Sequence, residues 1–206
     1  MMNEKMRAID GSNAAIAVAA GMGESCQAEG VYTFKCFKSA EDMTLLWEDK
    51  IDNVVCTLGK NLMLQSSLTG SGYTVVGPYM GLISSVSFSA VSAADTMASH
   101  AGWLEAGSIN APTFAARGTP AFGTASAGAI ALSSATSFTM TGAGTLQGAF
   151  ITYGTGAVTT LMSTAGTLLS AGVFTGGAQP VNSGNIVQVS YSLSLQGESG
   201  LRCRRA

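Results

Sequence analysis

The sequence predicts a mainly β protein, an antiparallel β-sandwich or jelly-roll-like body that follows an extended N-terminal arm. Three observations support this fold class. Short segments alternate apolar and polar residues with a period of two, which is typical of half-buried strands. Glycine-rich breaks separate these segments at intervals of about 8–15 residues. Almost no segment has the helical period, and neither internal repeats nor heptads are present.

The first element of the body is a strand over residues 31–38, in which Tyr32, Phe34 and Cys36 share one face. A helix is predicted over residues 58–68, because its leucines recur at i, i+4 and a glycine follows its end. Thr57 is the expected N-cap of this helix, and Gly59 weakens its first turn.

Further strands follow in the second half of the body. Alternation predicts strands over residues 80–89 and 137–141, whereas residues 145–153 and 168–174 are apolar on both faces. Apolar residues on both faces are expected of strands in the middle of a sandwich or at an interface. The clearest strand covers residues 186–195, where one glutamine and three serines alternate with apolar side chains: Val187, Val189, Tyr191, Leu193 and Leu195.

Composition divides the chain into three parts. We predict an N-terminal arm over residues 1–30, a β-rich body over residues 31–197 and a basic tail over residues 198–206. The apolar run at residues 14–23 is about ten residues long, whereas a membrane span needs about 20. The alternative for this run is the apolar region of a secretory signal peptide, since basic residues precede it. Asp10 favours the arm over the signal peptide.

Charged residues are distributed very unevenly. Between Lys60 and Glu198 only Asp95, Glu105 and Arg117 are charged. A freely diffusing domain usually has about 25–35% charged residues on its surface. This long neutral region therefore indicates a surface that neighbouring molecules cover, as in a component of an assembly. The net charge of −2 argues against nucleic acid as the main partner.

Few residues have the spacing that catalysis requires. His100 is the only histidine, and it follows Ser99 with Asp95 nearby, but adjacent residues of a strand point to opposite faces. Asp95 and Glu105 would form a glycosidase pair only if the fold placed them about 5–10 Å apart across a cleft. A turn or a helix cap is the more ordinary role of Asp95. We expect no catalytic site and no enzymatic activity.

The sequence also predicts neither a metal nor a cofactor. Four cysteines are irregularly spaced and only one histidine accompanies them, so their spacing does not support a zinc site: Cys26, Cys36, Cys56 and Cys203. Buried or unreactive thiols are expected instead. The glycine-rich stretches lack the pattern of a phosphate-binding loop and are expected to form turns.

Trp47 opens the segment of residues 47–55, which ends in an N-x-V motif, and residues 59–62 read Gly-Lys-Asn-Leu. These segments resemble a group of small virion proteins of tailed bacteriophages, in which an aromatic-rich strand is followed by a short N-x-V and G-x-N-x-L stretch. Residues 81–85, 95–103, 150–154 and 168–172 are similar to the same group, and the resemblance spans about residues 31–195. The group implies a structural role and no catalytic residues.

This resemblance implies a capsid cement or decoration protein. The expected partners are the major capsid protein or other virion proteins, together with further copies of the chain in a homo-oligomer. The expected location is the capsid surface, after assembly in the host cytoplasm, with no membrane contact. The alternatives are a tail or fibre component that contacts the host surface, a glycan-degrading virion enzyme and a secreted adhesin.

Aromatic residues are the expected anchors of the contact with the shell, since buried aromatic side chains contribute much of the binding energy at interfaces. Five are candidates: Trp47, Tyr73, Trp103, Phe114 and Phe122. The alternative for each is ordinary packing in the core. The basic tail, which contains Arg202, Arg204 and Arg205, is expected to contact an acidic groove of a partner or packaged nucleic acid, or else to remain solvated.

Overall fold

The structure is a computed structural model, and it describes residues 26–69 and 76–197. Residues 28–194 form one compact unit. The second unit, residues 1–27 and 195–206, lies almost entirely outside the described residues. The predicted arm and the predicted basic tail therefore stay predictions, although the last five residues of the arm belong to the first strand.

The described residues form ten strands and one helix, and the strand pairs with a defined register are all antiparallel. The predicted mainly β, antiparallel class is confirmed. In chain order the elements are β1 (Cys26–Phe37), β2 (Leu45–Val55), α1 (Thr57–Leu68), β3 (Tyr79–Ser84), β4 (Leu104–Glu105), β5 (Ala129–Ala131), β6 (Thr136–Thr139), β7 (Gly144–Tyr153), β8 (Thr167–Val173), β9 (Gln179–Val181) and β10 (Ile186–Gly197).

The strands form a sandwich-like pair of sheets that share β2. The first sheet places β10 between β1 and the short strands β5 and β6, and β2 lies beyond β1. The second sheet has the order β4, β3, β7, β8, with β9 paired to β7. Residues 45–52 of β2 pair with β1, and residues 53–55 pair with β8. A strand that changes sheets in this way forms a corner of a sandwich.

The main core lies between the two sheets. On β1, the predicted face of Tyr32, Phe34 and Cys36 is fully buried, and so is the alternating apolar face of β10 as far as Leu193. The second sheet contributes further apolar side chains from β3, β7 and β8: Met80, Leu82, Leu146, Ile151 and Leu169. Each buried side chain of this size contributes about 1.5–3 kcal/mol to folding.

A second core covers the other face of the second sheet. Four side chains of β3, β7 and β8 point into it: Ile83, Phe150, Leu168 and Ala171. Met97 and Trp103, from the long connection between β3 and β4, pack against them. This arrangement explains why β7 and β8 are apolar on both faces. The chain itself covers the second face, so these strands need no partner molecule for their burial.

The third strand is shorter than the alternation predicted. The prediction extended it to residue 89, but β3 ends at Ser84, where its register with β7 shifts. The hydroxyl of Ser84 donates to the Ala111 carbonyl and accepts the amide of Val86, which replaces strand pairing with a turn. Ser87 then adopts a positive φ of 52°, a conformation that a strand cannot contain.

The predicted helix is confirmed as α1, but the predicted cap is wrong. Cys56 occupies the N-cap position without a side-chain cap bond, and Thr57 is the first helical residue. The amide of Thr57 donates to the Ala93 carbonyl, which satisfies one of the amides that have no partner within the helix at its N-terminus. Gly59 is buried because α1 lies directly against β8 at this point.

We expect the substitution Gly59→Ala to destabilise the protein by about 1–2 kcal/mol. Alanine is the better helix former by about 1 kcal/mol, but its Cβ would lie 2.7 Å from the Leu169 Cα atom and 2.8 Å from its carbonyl oxygen. Urea unfolding followed by circular dichroism measures the change. Asn61→Ala, at an exposed position of the same helix, is the control and should cause no loss. Equal or greater stability of the Gly59 variant would contradict this packing.

Candidate functional site

The most distinctive surface of the molecule is free of charge. Glu105 and Arg117 are the only charged residues between residues 96 and 197, and each is only 3% exposed. Residues 96–197 therefore place no Asp, Glu, Lys or Arg side chain on the surface. We call the exposed part of residues 96–197 the neutral surface. Most charges of the described residues lie instead on β1, β2 and the turn between them.

Small polar residues make up much of the neutral surface. On the outer side of β6 and β10 the exposed residues are serines and threonines: Ser137, Thr139, Ser190 and Ser192. Their side chains let another backbone approach closely. Burying their hydroxyl groups also costs far less free energy than burying charged groups, provided that hydrogen bonds replace those to water. The neutral surface is therefore suited to contact with another protein.

Two loops of the neutral surface also expose apolar side chains. Residues 106–112 carry Ile109, which is 84% exposed, and residues 157–166 carry the exposed Val158 and Met162. We call these three side chains the apolar tip. The two loops are adjacent, because the Asn110 amide contacts the Met162 sulfur at 3.9 Å.

A buried ion pair anchors the second of these loops, residues 157–166. The Arg117 guanidinium donates from Nε to Glu105 Oε1 at 2.8 Å and from Nη2 to Glu105 Oε2 at 2.7 Å. It also donates to the carbonyls of Val158, at 3.3 Å, and Ser163, at 2.8 Å. The amide of Met162 donates to Glu105 Oε2 at 2.7 Å. Because both charged groups have several partners, the pair fixes the loop of residues 157–166 against β4.

The structure does not support a glycosidase pair. Both carboxylate oxygens of Glu105 bind Arg117, whereas Asp95 belongs to a separate hydrogen-bond network. Asp95 Oδ2 accepts from the Ser92 amide and from the Trp103 indole, each at 2.9 Å. The turn role predicted for Asp95 is confirmed. Glu105 has a structural contact that the sequence analysis missed, since twelve residues separate it from Arg117.

His100 is likewise part of a packing arrangement. Its Nδ1 atom lies 2.9 Å from the Trp103 carbonyl oxygen, so that Nδ1–H can donate to it, and its ring stacks on the indole with centroids 3.8 Å apart. The indole in turn donates to Asp95. His100 therefore positions Trp103 rather than forming the catalytic arrangement with Ser99 and Asp95 that the sequence analysis considered.

The five predicted contact residues lie in different environments. Trp103 is fully buried and Phe114 nearly so, which corresponds to the alternative of ordinary core packing. Trp47 and Phe122 are half-buried at the margin of the main core, so part of each ring faces solvent. Tyr73 lies outside the described residues. Contact of any of the five with a partner stays a prediction.

The apolar tip was not predicted from the sequence. Its residues are single apolar side chains in loops of Gly, Ser, Thr and Ala, where no periodicity marks them. The only available signal was their place within the uncharged region.

The thiols of Cys36 and Cys56 are buried and unpaired, as expected. Burial raises the pKa of each to about 11. Only about one molecule in a thousand then carries the reactive thiolate at pH 8. We expect iodoacetamide at pH 8 to leave both cysteines unmodified in the folded protein and to alkylate both in guanidinium chloride. Peptide mass mapping reports each site separately, and rapid labelling of either one in the folded state would contradict the observed packing.

Within the part of the chain that the structure describes, no three His, Cys, Asp or Glu side chains are grouped to hold a metal ion. The helix in this part is too short to cross a bilayer. Comparison of the chain with protein families, curated proteins and solved structures finds no match.

Proposed function

We propose that this protein is a structural component of a tailed-phage virion that binds the capsid shell as a cement or decoration protein. The neutral surface is the observation that carries the proposal, because it is suited to coverage by other proteins. The resemblance to virion proteins of tailed bacteriophages is the reason for choosing a phage capsid as the assembly. Binding to neighbouring subunits then stabilises the shell without any chemical reaction.

The distribution of charge suggests an orientation. Charged side chains on β1 and β2 keep one part of the molecule well hydrated, with examples at Lys35, Glu48 and Lys50. The neutral surface has no such groups, so its dehydration against a neighbour costs comparatively little free energy. We therefore propose that the neutral surface makes the contacts with the shell and that the charged side chains of the β1–β2 hairpin stay in solvent.

The side chains that could take part in catalysis already make contacts within the fold. Glu105 neutralises Arg117, Asp95 orients Trp103, and His100 stacks on the same tryptophan. These roles support a binding protein over the glycan-degrading enzyme. Each charged residue between Lys60 and Glu198 therefore has a structural role within the fold.

The direct test is to locate the chain in purified phage particles. Quantitative mass spectrometry should find it in many copies per particle, and immunogold labelling should place it on the shell. Labelling confined to the tail would replace this proposal with the tail or fibre component. Absence from extensively washed particles would reject a virion role altogether.

A further inference from the structure

We propose that the apolar tip is the part of the neutral surface that contacts the shell, and that Ile109 enters an uncharged apolar pocket of the neighbouring shell protein. This inference rests on the proposed function and specifies the contact surface and the chemistry of the partner.

The exposure of Ile109 is the first argument. An isoleucine that is 84% exposed leaves almost all of its side chain in water, and Val158 and Met162 add further apolar surface on the neighbouring loop. Burial of a side chain of this size contributes about 1.5–3 kcal/mol. A partner that covers all three therefore gains substantial binding free energy.

The absence of charge around the tip is the second argument. Met43 and Leu45, which are also exposed, instead follow the charged residues Glu41 and Asp42. The loops of the tip contain no charged residue at all. A neighbour can therefore cover the tip without removing an ion from water, which would cost several kcal/mol per ion.

The anchoring of the loop that carries Val158 and Met162 is the third argument. The Glu105–Arg117 pair binds Val158 and Ser163 through their carbonyls and Met162 through its amide. These bonds fix the loop before any partner arrives, so that less conformational entropy is lost on binding. A buried ion pair is a weak source of net stability, and its best-supported use is to select one specific conformation.

The size of the tip indicates the kind of partner. Its two loops have seventeen residues, whereas a stable interface usually involves about 20–30 residues on each side. Two copies joined only through their tips would therefore bind weakly. A shell subunit that also contacts other parts of the neutral surface provides the additional area. Its pocket for Ile109 should be uncharged, because a charged group there would lose its hydration without gaining an ion partner.

The test compares two charge insertions at highly exposed apolar residues, Ile109→Asp and Leu68→Asp. Leu68 is 78% exposed on α1 and lies outside the tip. Shells purified from particles assembled without this protein are mixed with each purified chain and sedimented. We expect Ile109→Asp to bind at least about tenfold more weakly than the wild type, and Leu68→Asp to bind within about twofold of it.

Wild-type binding separates the two proposals. If the wild-type chain does not bind these shells, the proposed function fails. If the wild type binds and Ile109→Asp binds equally well, the shell role stands and the tip is rejected as its contact. A photoreactive amino acid at position 109 gives a second measurement. It should crosslink to the shell protein in assembled particles, and crosslinking from position 68 alone would overturn the inference.

Discussion

Replacing Arg117 by alanine is expected to lower the free energy of unfolding by about 3–5 kcal/mol. The substitution leaves the Glu105 carboxylate buried at 3% exposure without its cation, and it removes the donors to the Val158 and Ser163 carbonyls. Guanidinium chloride denaturation followed by tryptophan fluorescence measures the loss. Lys38→Ala breaks the exposed ion pair with Asp42 and serves as the control, which should show little change.

The double variant Glu105→Leu/Arg117→Met separates charge burial from packing. It fills the same region with apolar side chains and leaves no unpaired charge, so it should be considerably more stable than Arg117→Ala. The loop of residues 157–166 should nevertheless exchange its amide hydrogens faster, because the Met162 amide has lost its carboxylate acceptor. If the single variant Arg117→Ala were as stable as the wild type, the Glu105–Arg117 pair would not be buried as described.

Replacing Trp103 by alanine is the second large effect, with an expected loss of about 3–5 kcal/mol. The indole fills the core between the second sheet and the β3–β4 connection, where its centroid lies 5.2 Å from that of the Phe150 ring. Its Nε1–H also donates to Asp95. Thermal unfolding of the isolated chain measures the change.

Two controls accompany the Trp103 variant. Trp103→Phe loses the hydrogen bond to Asp95 and part of the ring but retains much of the apolar volume, so it should be clearly more stable than the alanine variant. Trp47→Ala removes a half-buried ring and should cost less than Trp103→Ala. If Trp103→Ala left the thermal stability of the isolated chain unchanged, the core role of Trp103 would be wrong. The prediction that Trp103 contacts the shell would then be favoured again.

The sequence was sufficient to predict strands wherever one face is buried and the other is solvated. The alternation of β10 is clear because Val187, Val189 and Tyr191 face the core while Ser190 and Ser192 face solvent. The same rule failed beyond Ser84, where alternating serines and apolar residues form turns. Local hydrogen bonds from the Ser84 hydroxyl decide the chain path there, and periodicity does not report them.

The contacts that form the candidate site could not be predicted from the sequence, because they join residues that are far apart in the chain. Residues 145–153 were expected to be buried on both faces, but their pattern did not show that the chain's own β3–β4 connection covers the second face. Nothing in the spacing of Glu105 and Arg117 distinguishes a buried pair from two separate surface charges. Ile109 is the only large apolar residue in its loop, so only its exposure in the folded protein suggests the contact role that we propose for it.

Hydroxyl-radical footprinting of purified particles tests most directly whether neighbours cover the neutral surface. Met162 belongs to the apolar tip and Met43 to the charged β1–β2 turn, and both are exposed in the single chain. In the free protein both should oxidise readily. In assembled particles we predict strong protection of Met162 and continued oxidation of Met43. Equal oxidation of Met162 in the free and assembled states would contradict the proposal that companion subunits cover this surface.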